Sequence, residues 1–414
     1  MNFTPFEFGT YHIMGCDHHR LDTLLIMKKL FYPFSFYFMF YAAMASFLPF
    51  IVLFYQQLNF SGTQIGLLTG IPPLITLAAG PFWTNLADST RRHTLIMGIG
   101  ILMAAVTAFT LPALTNFTAI FILVIMFNIF FAPVSSLSDS ATMSMLGEER
   151  SMYGRVRLGG TIGWGVFAQI AGLLLSAYGL RVLFYVSAAI ALVNFFIAKK
   201  LTFGRHEEHE TARGNVWTLL TSRRWVIFLL FAFFGGLGTF SVPTYLAPYL
   251  KELGANGSQI GFAITIAAIT EVPVFFFGHL LVKRFSPYGL FLIGLILIGI
   301  RTLAFGIVNT IPMAILVQAI GGMFFPAMWS AGVAYADEHA PVGLKSTAQG
   351  ILGAVSFGIG SSVGGIICGI LLESVGGRGM FLILGIIILV GLVLVEGVKR
   401  LIPEKTISQP VSLD

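Results

Sequence analysis

Charged side chains are scarce in this sequence: Asp, Glu, Lys and Arg together make up 10% of its 414 residues, where a soluble domain carries about 25%. A surface wetted on all sides cannot be assembled from so few, and a water-soluble globular protein is excluded. Cysteine is nearly absent as well. Cys16 and Cys368 alone supply neither a disulfide framework nor a thiolate metal cage. No Ser, His and Asp stand at hydrolase spacing. The glycine-rich run from Gly358 to Gly365 follows no strand and lacks a phosphate-loop spacing, so close helix packing accounts for it. The first 26 residues have no apolar core of the kind a secretory signal needs. No enzyme, cofactor or metal is expected from these absences.

What the chain has in abundance is apolar length. Hydrophobic residues reach 56%, with 40 Phe and 46 Gly, the glycine enrichment of helices that approach one another closely in a membrane. Crossing about 30 Å of hydrocarbon takes roughly 20 residues. Twelve stretches qualify, at 31–56, 63–87, 94–113, 117–145, 157–178, 181–201, 224–250, 258–282, 288–308, 311–336, 344–372 and 376–398. The expected fold is an all-α membrane protein of twelve transmembrane helices, arranged as two six-helix halves about a pseudo-two-fold axis.

The placement of cations sets the orientation. Of 24 Lys and Arg, 20 fall in alternate segments beginning with the amino terminus; Arg181, Lys251 and Arg378 fall in the others, and Arg301 lies within a span. By the positive-inside rule both termini are cytoplasmic. The net charge of +6 is thereby explained without nucleic acid. The expected organisation is a cytoplasmic extension at 1–30, bundles at 31–201 and 224–399, a cytoplasmic linker at 202–223 and a tail at 400–414. The linker contains Arg205-His-Glu-Glu-His-Glu210, whose spacing is not that of a zinc helix and reads as a solvated connection. Internal repetition supports the halves: Ser61-Gly-Thr-Gln-Ile-Gly66 begins span two, and Asn256-Gly-Ser-Gln-Ile-Gly261 begins span eight, 195 residues on.

An ionisable group at membrane depth costs at least about 2.5 kcal/mol and needs a partner, a water-filled cavity or a task. Asp139 in span four and Arg157 at the start of span five stand nine residues either side of Glu148 in the connecting turn. They should therefore face each other at similar depth. Ser135, Ser138, Asp139 and Thr142 share a helical face, which suggests a cavity wall. Trp164, two turns beyond Arg157, offers a ring against which a sugar or base can stack. The alternative is an ion pair that only pins two helices. Glu271 in span eight and Arg301 in span nine stand roughly 18 and 22 Å from the cytoplasmic edge at a 1.5 Å rise per residue. They are expected to meet near the midplane, either as a static pair or as a carboxyl whose protonation is linked to transport. Asp88 and Arg91 lie in the tight turn between spans two and three. An anion at a helix C-terminus is unfavourable unless compensated, so a gate contact stands beside simple anchoring.

Tyr153-Gly-Arg-Val-Arg157-Leu-Gly-Gly-Thr-Ile-Gly-Trp164, together with Asp139, resembles the lactose-permease-like proton symporters of the major facilitator superfamily over about residues 31 to 399. The resemblance implies that Asp139, Arg157 and Trp164 bind substrate and that Glu271 and Arg301 handle the proton. It departs on helix ten, where Gly321 and Phe324 replace the family's histidine and glutamate, and in the inner loop, where Thr84 stands in place of glycine four residues before Asp88. Ser346-Thr-Ala-Gln-Gly-Ile351 is similar to nucleoside and phenylpropionate permeases. The implied function is a monomeric, multi-pass cell-membrane carrier for a small polar solute, a sugar or nucleoside, driven by protons. A carrier of small aromatic acids and a transport-incompetent sensor of the same fold remain as alternatives.

Overall fold

The computed structural model describes residues 15–204, 219, 221–341 and 344–401; side chains are described from residue 30 onward, excepting 275, 276 and 278–283. All regular structure among the described residues is helical. The first part of the chain contains α1 (Gly15–Phe47), α2 (Ile51–Gln57), α3 (Gly62–Thr90), α4 (His93–Thr110), α5 (Phe117–Phe131), α6 (Val134–Leu146), α7 (Tyr153–Tyr178) and α8 (Leu180–Ala198). The second contains α9 (Arg223–Glu252), α10 (Gly257–Phe285), α11 (Pro287–Ile307), α12 (Ile311–Gly321), α13 (Phe324–His339), α14 (Lys345–Gly353), a π-helical turn (Ala354–Gly360) and α15 (Ser361–Leu401).

Ten stretches among the described residues are long and apolar enough to cross a membrane. Two of them are too long for one crossing: Phe117–Tyr178 has 62 residues and Lys345–Leu401 has 57. The first is interrupted by the turn at Gly147–Met152, the second at Gly376, whose φ of 73° is a left-handed conformation that only glycine adopts readily. Large apolar side chains on the outside, such as Val393 at 71% and Phe196 at 64% exposure, are where lipid contact would place them. The chain is a multi-pass membrane protein.

Helix α1 begins at Gly15, and its stretch apolar enough to span a membrane begins at Leu30, one residue before the expected start at 31. Two expected spans are interrupted. Span four is broken, since Pro133 caps α6 and its ring and missing N–H prevent continuation from α5. Span ten is likewise broken between Gly321 and Phe324. The His and Glu cluster at 205–210, the residues 1–14 and the tail beyond 401 lie outside the described residues.

The repeat has a local cause. Ser61 and Asn256 each form a capping box, accepting from the backbone of Gln64 and Gln259 while those glutamines return to the cap's own N–H. It extends beyond the motif, because left-handed residues recur at the same 195-residue offset: Asn59 with Gly254, and Arg91 with Ser286. Two helix pairs join the earlier part of the chain to the later one through small residues. Gly66 and Gly70 on α3 lie against Ile366, Ser362 and Gly365 on α15, where a Cβ on Gly66 would come 2.9 Å from the Ile366 carbonyl. Gly261 on α10 lies against Ala168 and Gly172 on α7, where a Cβ would come 2.6 Å from the Ala168 carbonyl.

Candidate functional site

Gly159, Gly160 and Gly163 seat α7 directly on α1, against the backbone of Phe34 and Phe38 and the ring of Tyr41. This close approach carries the buried Tyr37 to Asp139 on α6. Asp139 and Arg157 do face each other, with Arg157 Nη1 3.6 Å from Asp139 Oδ2. Two phenols complete the group. The hydroxyls of Tyr37 and Tyr153 both donate to Asp139 Oδ1, Tyr153 at 2.9 Å, and Arg157 Nη1 donates to the Tyr153 oxygen at 2.6 Å. The carboxylate is thus held on one oxygen and faces a cation with the other. The pair is not sealed, for Asp139 is 34% and Arg157 46% exposed at the side chain. The guanidinium of Arg157 carries further N–H groups in a fork suited to oxygen acceptors.

The expected polar face on α6 is narrower than its spacing suggested. Ser138 and Thr142 are buried, and their hydroxyls bond back to the carbonyls of Ser135 and Ser138 at 2.7 Å each. Such back-bonding satisfies a hydroxyl inside apolar packing, leaving Asp139 and the exposed Ser135 on the open side. Trp164 is half-buried and packs against the main hydrophobic core; no hydrogen bond or ring contact joins it to the pair among the described residues.

In the later part of the chain Arg301 takes other hydrogen-bond partners than Glu271 among the described residues. Arg301 on α11 donates from Nη2 to Gln318 Oε1 at 2.5 Å and from Nη1 to the Gly321 carbonyl at 3.3 Å, both on α12. Its Nε is buried without a partner, and its guanidinium lies 5.9 Å from the centre of the Phe305 ring. Glu271 on α10 is within electrostatic range of Arg301 yet makes no ion pair or hydrogen bond among the described residues. The expected meeting at the midplane is therefore absent in this conformation. A nearer acceptor explains it: Gly321, lacking a Cβ, leaves room for the guanidinium against α12. At the turn between α3 and α4, Asp88 is bonded to His93 Nε2 at 2.9 Å rather than to Arg91. Arg91 caps α3 in a left-handed conformation with φ of 55°.

Tyr37, Tyr153, Gln318 and His93 were not singled out by the sequence. Tyr153 sits inside the Tyr153–Trp164 motif, four residues before Arg157 and so on its face, and was legible in principle. Tyr37 lies in an aromatic run, Phe34-Ser-Phe-Tyr-Phe-Met-Phe-Tyr41, in which nothing local distinguishes it.

The model of the MFS_1 like family matches residues 34–383. A maltose permease of Geobacillus stearothermophilus is 26% identical over 378 residues, covering 90% of this chain and 95% of its own. A protein of Escherichia coli strain K12 described as a probable 3-phenylpropionic acid transporter is 22% identical, with 85% and 93% covered. Among solved structures, the nucleoside transporter NupG superposes with a TM-score of 0.78 at 16% identity, covering 91% of this chain and 99% of that one. These relatives are transporters and not enzymes. With that match running from α1 to α15, the chain belongs to the MFS_1 like family of major facilitator permeases.

Proposed function

We propose that this protein is a proton-coupled symporter of a small polar solute, a sugar or a nucleoside, working by alternating access. The observation that carries the reading is the Asp139–Arg157 pair, half-exposed at membrane depth and backed by two tyrosine hydroxyls. For the sole task of pinning two helices, well-packed apolar residues of similar volume would serve at least as well as an ion pair. An open pair presents a carboxylate and a guanidinium to hydroxyls or ring carbonyls, and Trp164 adds an apolar face on the same helix. Asp139, Arg157 and Trp164 are the substrate-binding residues in this reading, Glu271 and Arg301 the coupling pair, and Asp88 with His93 and Arg91 the gate.

The twelve crossings are counted by dividing the two overlong stretches at Gly147–Met152 and Gly376. The 195-residue repeat of caps and left-handed turns supports two halves, at 31–201 and 224–399, related by a pseudo-two-fold axis. The paired contacts of α3 on α15 and α7 on α10 would then be the interface about which the halves rock.

A second reading is favoured by the half-open guanidinium of Arg157, whose fork suits a carboxylate. In that case the solute is a small aromatic acid. A thermal-shift panel of sugars, nucleosides and aromatic acids on the purified protein separates the two. A sugar or nucleoside is expected to raise the unfolding midpoint increasingly as its concentration exceeds its Kd; stabilisation by aromatic acids alone would transfer the assignment to the second reading.

The cation distribution supports a cytoplasmic setting for both termini and the 202–223 linker. A single cysteine at Ser222, which is exposed, in a background lacking Cys16 and Cys368, should resist an impermeant thiol reagent in intact cells and react after permeabilisation. Labelling from outside would invert the topology.

A further inference from the structure

The arginine of the coupling pair has a seat that the proposed function leaves unexplained. Arg301 is held by two neutral acceptors on α12, the Gln318 amide oxygen at 2.5 Å and the Gly321 carbonyl at 3.3 Å. The seat is shaped for it. Gln318 is 5% exposed, and a Cβ on Gly321 would come 2.7 Å from the guanidinium carbon, so any residue but glycine there would evict the side chain. Gly321 is also the position at which the sequence departs from the lactose-permease pattern, and the arginine fills the space a larger side chain would take. Across from it Glu271 makes no hydrogen bond or ion pair among the described residues.

We propose that Gln318 is a positioning residue of the coupling site, holding the Arg301 guanidinium on α12 so that Glu271 can carry a proton until the helices rearrange. This rests on the reading of Glu271 as the coupling carboxyl.

The chemistry favours a neutral holder. A carboxylate at position 318 would pair with Arg301 permanently, and an apolar residue would leave a buried cation whose nearest counter-charge is Glu271. An amide oxygen solvates the guanidinium without cancelling its charge, so Arg301 remains attracted to a carboxylate and can be drawn across when α11 and α12 move. Glu271 faces few other charges. Of the elements packed against α10, α12 carries no titratable residue, α7 carries Arg155 and Arg157 near its start, α9 carries Arg223 and Arg224 at its start and Lys251 and Glu252 at its end, and α13 ends in Asp337, Glu338 and His339. All of these sit at or near helix ends, whereas Arg301 lies within α11.

The test needs no substrate, because the probe is the proton. Infrared titration of the purified full-length protein follows the C=O band of the protonated carboxyl that is missing in Glu271→Gln. The band is present in acid and disappears as pH rises. Gln318→Met keeps the side-chain volume but removes the acceptor, freeing Arg301 to approach Glu271 and favour its ionised form. Its band should disappear about one pH unit lower, a roughly tenfold weaker proton affinity. Gln318→Glu holds the arginine more firmly and adds a like charge, so its band should persist to higher pH. Opposite shifts from two variants at one position are not what a packing defect produces. Shifts of the same sign, or none, with the Glu271 band still titrating, would overturn the role of Gln318 and leave the coupling carboxyl in place. If Glu271→Gln removes no titrating band, the coupling reading itself falls, and this proposal with it.

Discussion

Asp139→Asn is expected to weaken binding of the transported solute about tenfold to a hundredfold while the protein stays folded. A hydrogen bond to a charged group contributes about 1.5–3 kcal/mol, and each tenfold in affinity corresponds to about 1.4 kcal/mol. Asparagine keeps an Oδ1 acceptor for Tyr37 and Tyr153, so the two phenols retain their partner. What disappears is the negative charge 3.6 Å from Arg157, and with it the opposed pair that orients a polar ligand. Stranding one member of a fully buried pair costs about 3–5 kcal/mol, but the cost falls toward that of a surface pair as solvent reaches it. At 34% and 46% exposure the fold should tolerate the change. Titration of the variant by thermal shift, with the solute that stabilises the wild type most, supplies the check. Unchanged affinity would return Asp139 and Arg157 to the task of pinning two helices.

Much of this was legible because the membrane imposes its own arithmetic. Scarce charge, apolar stretches of about 20 residues and cations in alternate loops point to a multi-pass helical protein before any residue is singled out. Hairpin symmetry about Glu148 placed Asp139 opposite Arg157, since equal distances from a tight turn fix equal depth. That argument works only between neighbours in sequence. Tyr37 reaches Asp139 from 102 residues away because three glycines on α7 let α1 come close, a packing fact with no local signature. The breaks at Pro133 and after Gly321 were missed for a different reason: hydropathy does not register a lost turn. Glu271 and Arg301 make no direct contact among the described residues, because depth along two helices says nothing about a nearer competitor, and Gln318 on α12 is that competitor.

Glu271→Gln is expected to abolish uphill accumulation while preserving exchange of internal for external solute. An ionised carboxyl in a low-dielectric site with no partner is costly, and protonation removes the cost. An approaching guanidinium reverses the preference. Separation and approach of Glu271 and Arg301 during the conformational cycle would therefore load and release one proton per turnover. Glutamine imitates the protonated state permanently, so the protein can still carry solute in both directions but has nothing to discharge. Among the described acidic residues of the later half, Glu252, Asp337, Glu338 and Glu396 lie near helix ends and Glu373 near the break at Gly376, which leaves Glu271 as the deep carboxyl. The most direct measurement is uptake of labelled sugars, nucleosides and aromatic acids by reconstituted vesicles with an imposed pH gradient, wild type beside Glu271→Gln. The wild type should concentrate one class of solute above its external level only while the gradient stands, and the variant should exchange that solute without concentrating it. Accumulation by Glu271→Gln against the solute gradient, or wild-type uptake indifferent to pH, would contradict proton coupling through this site.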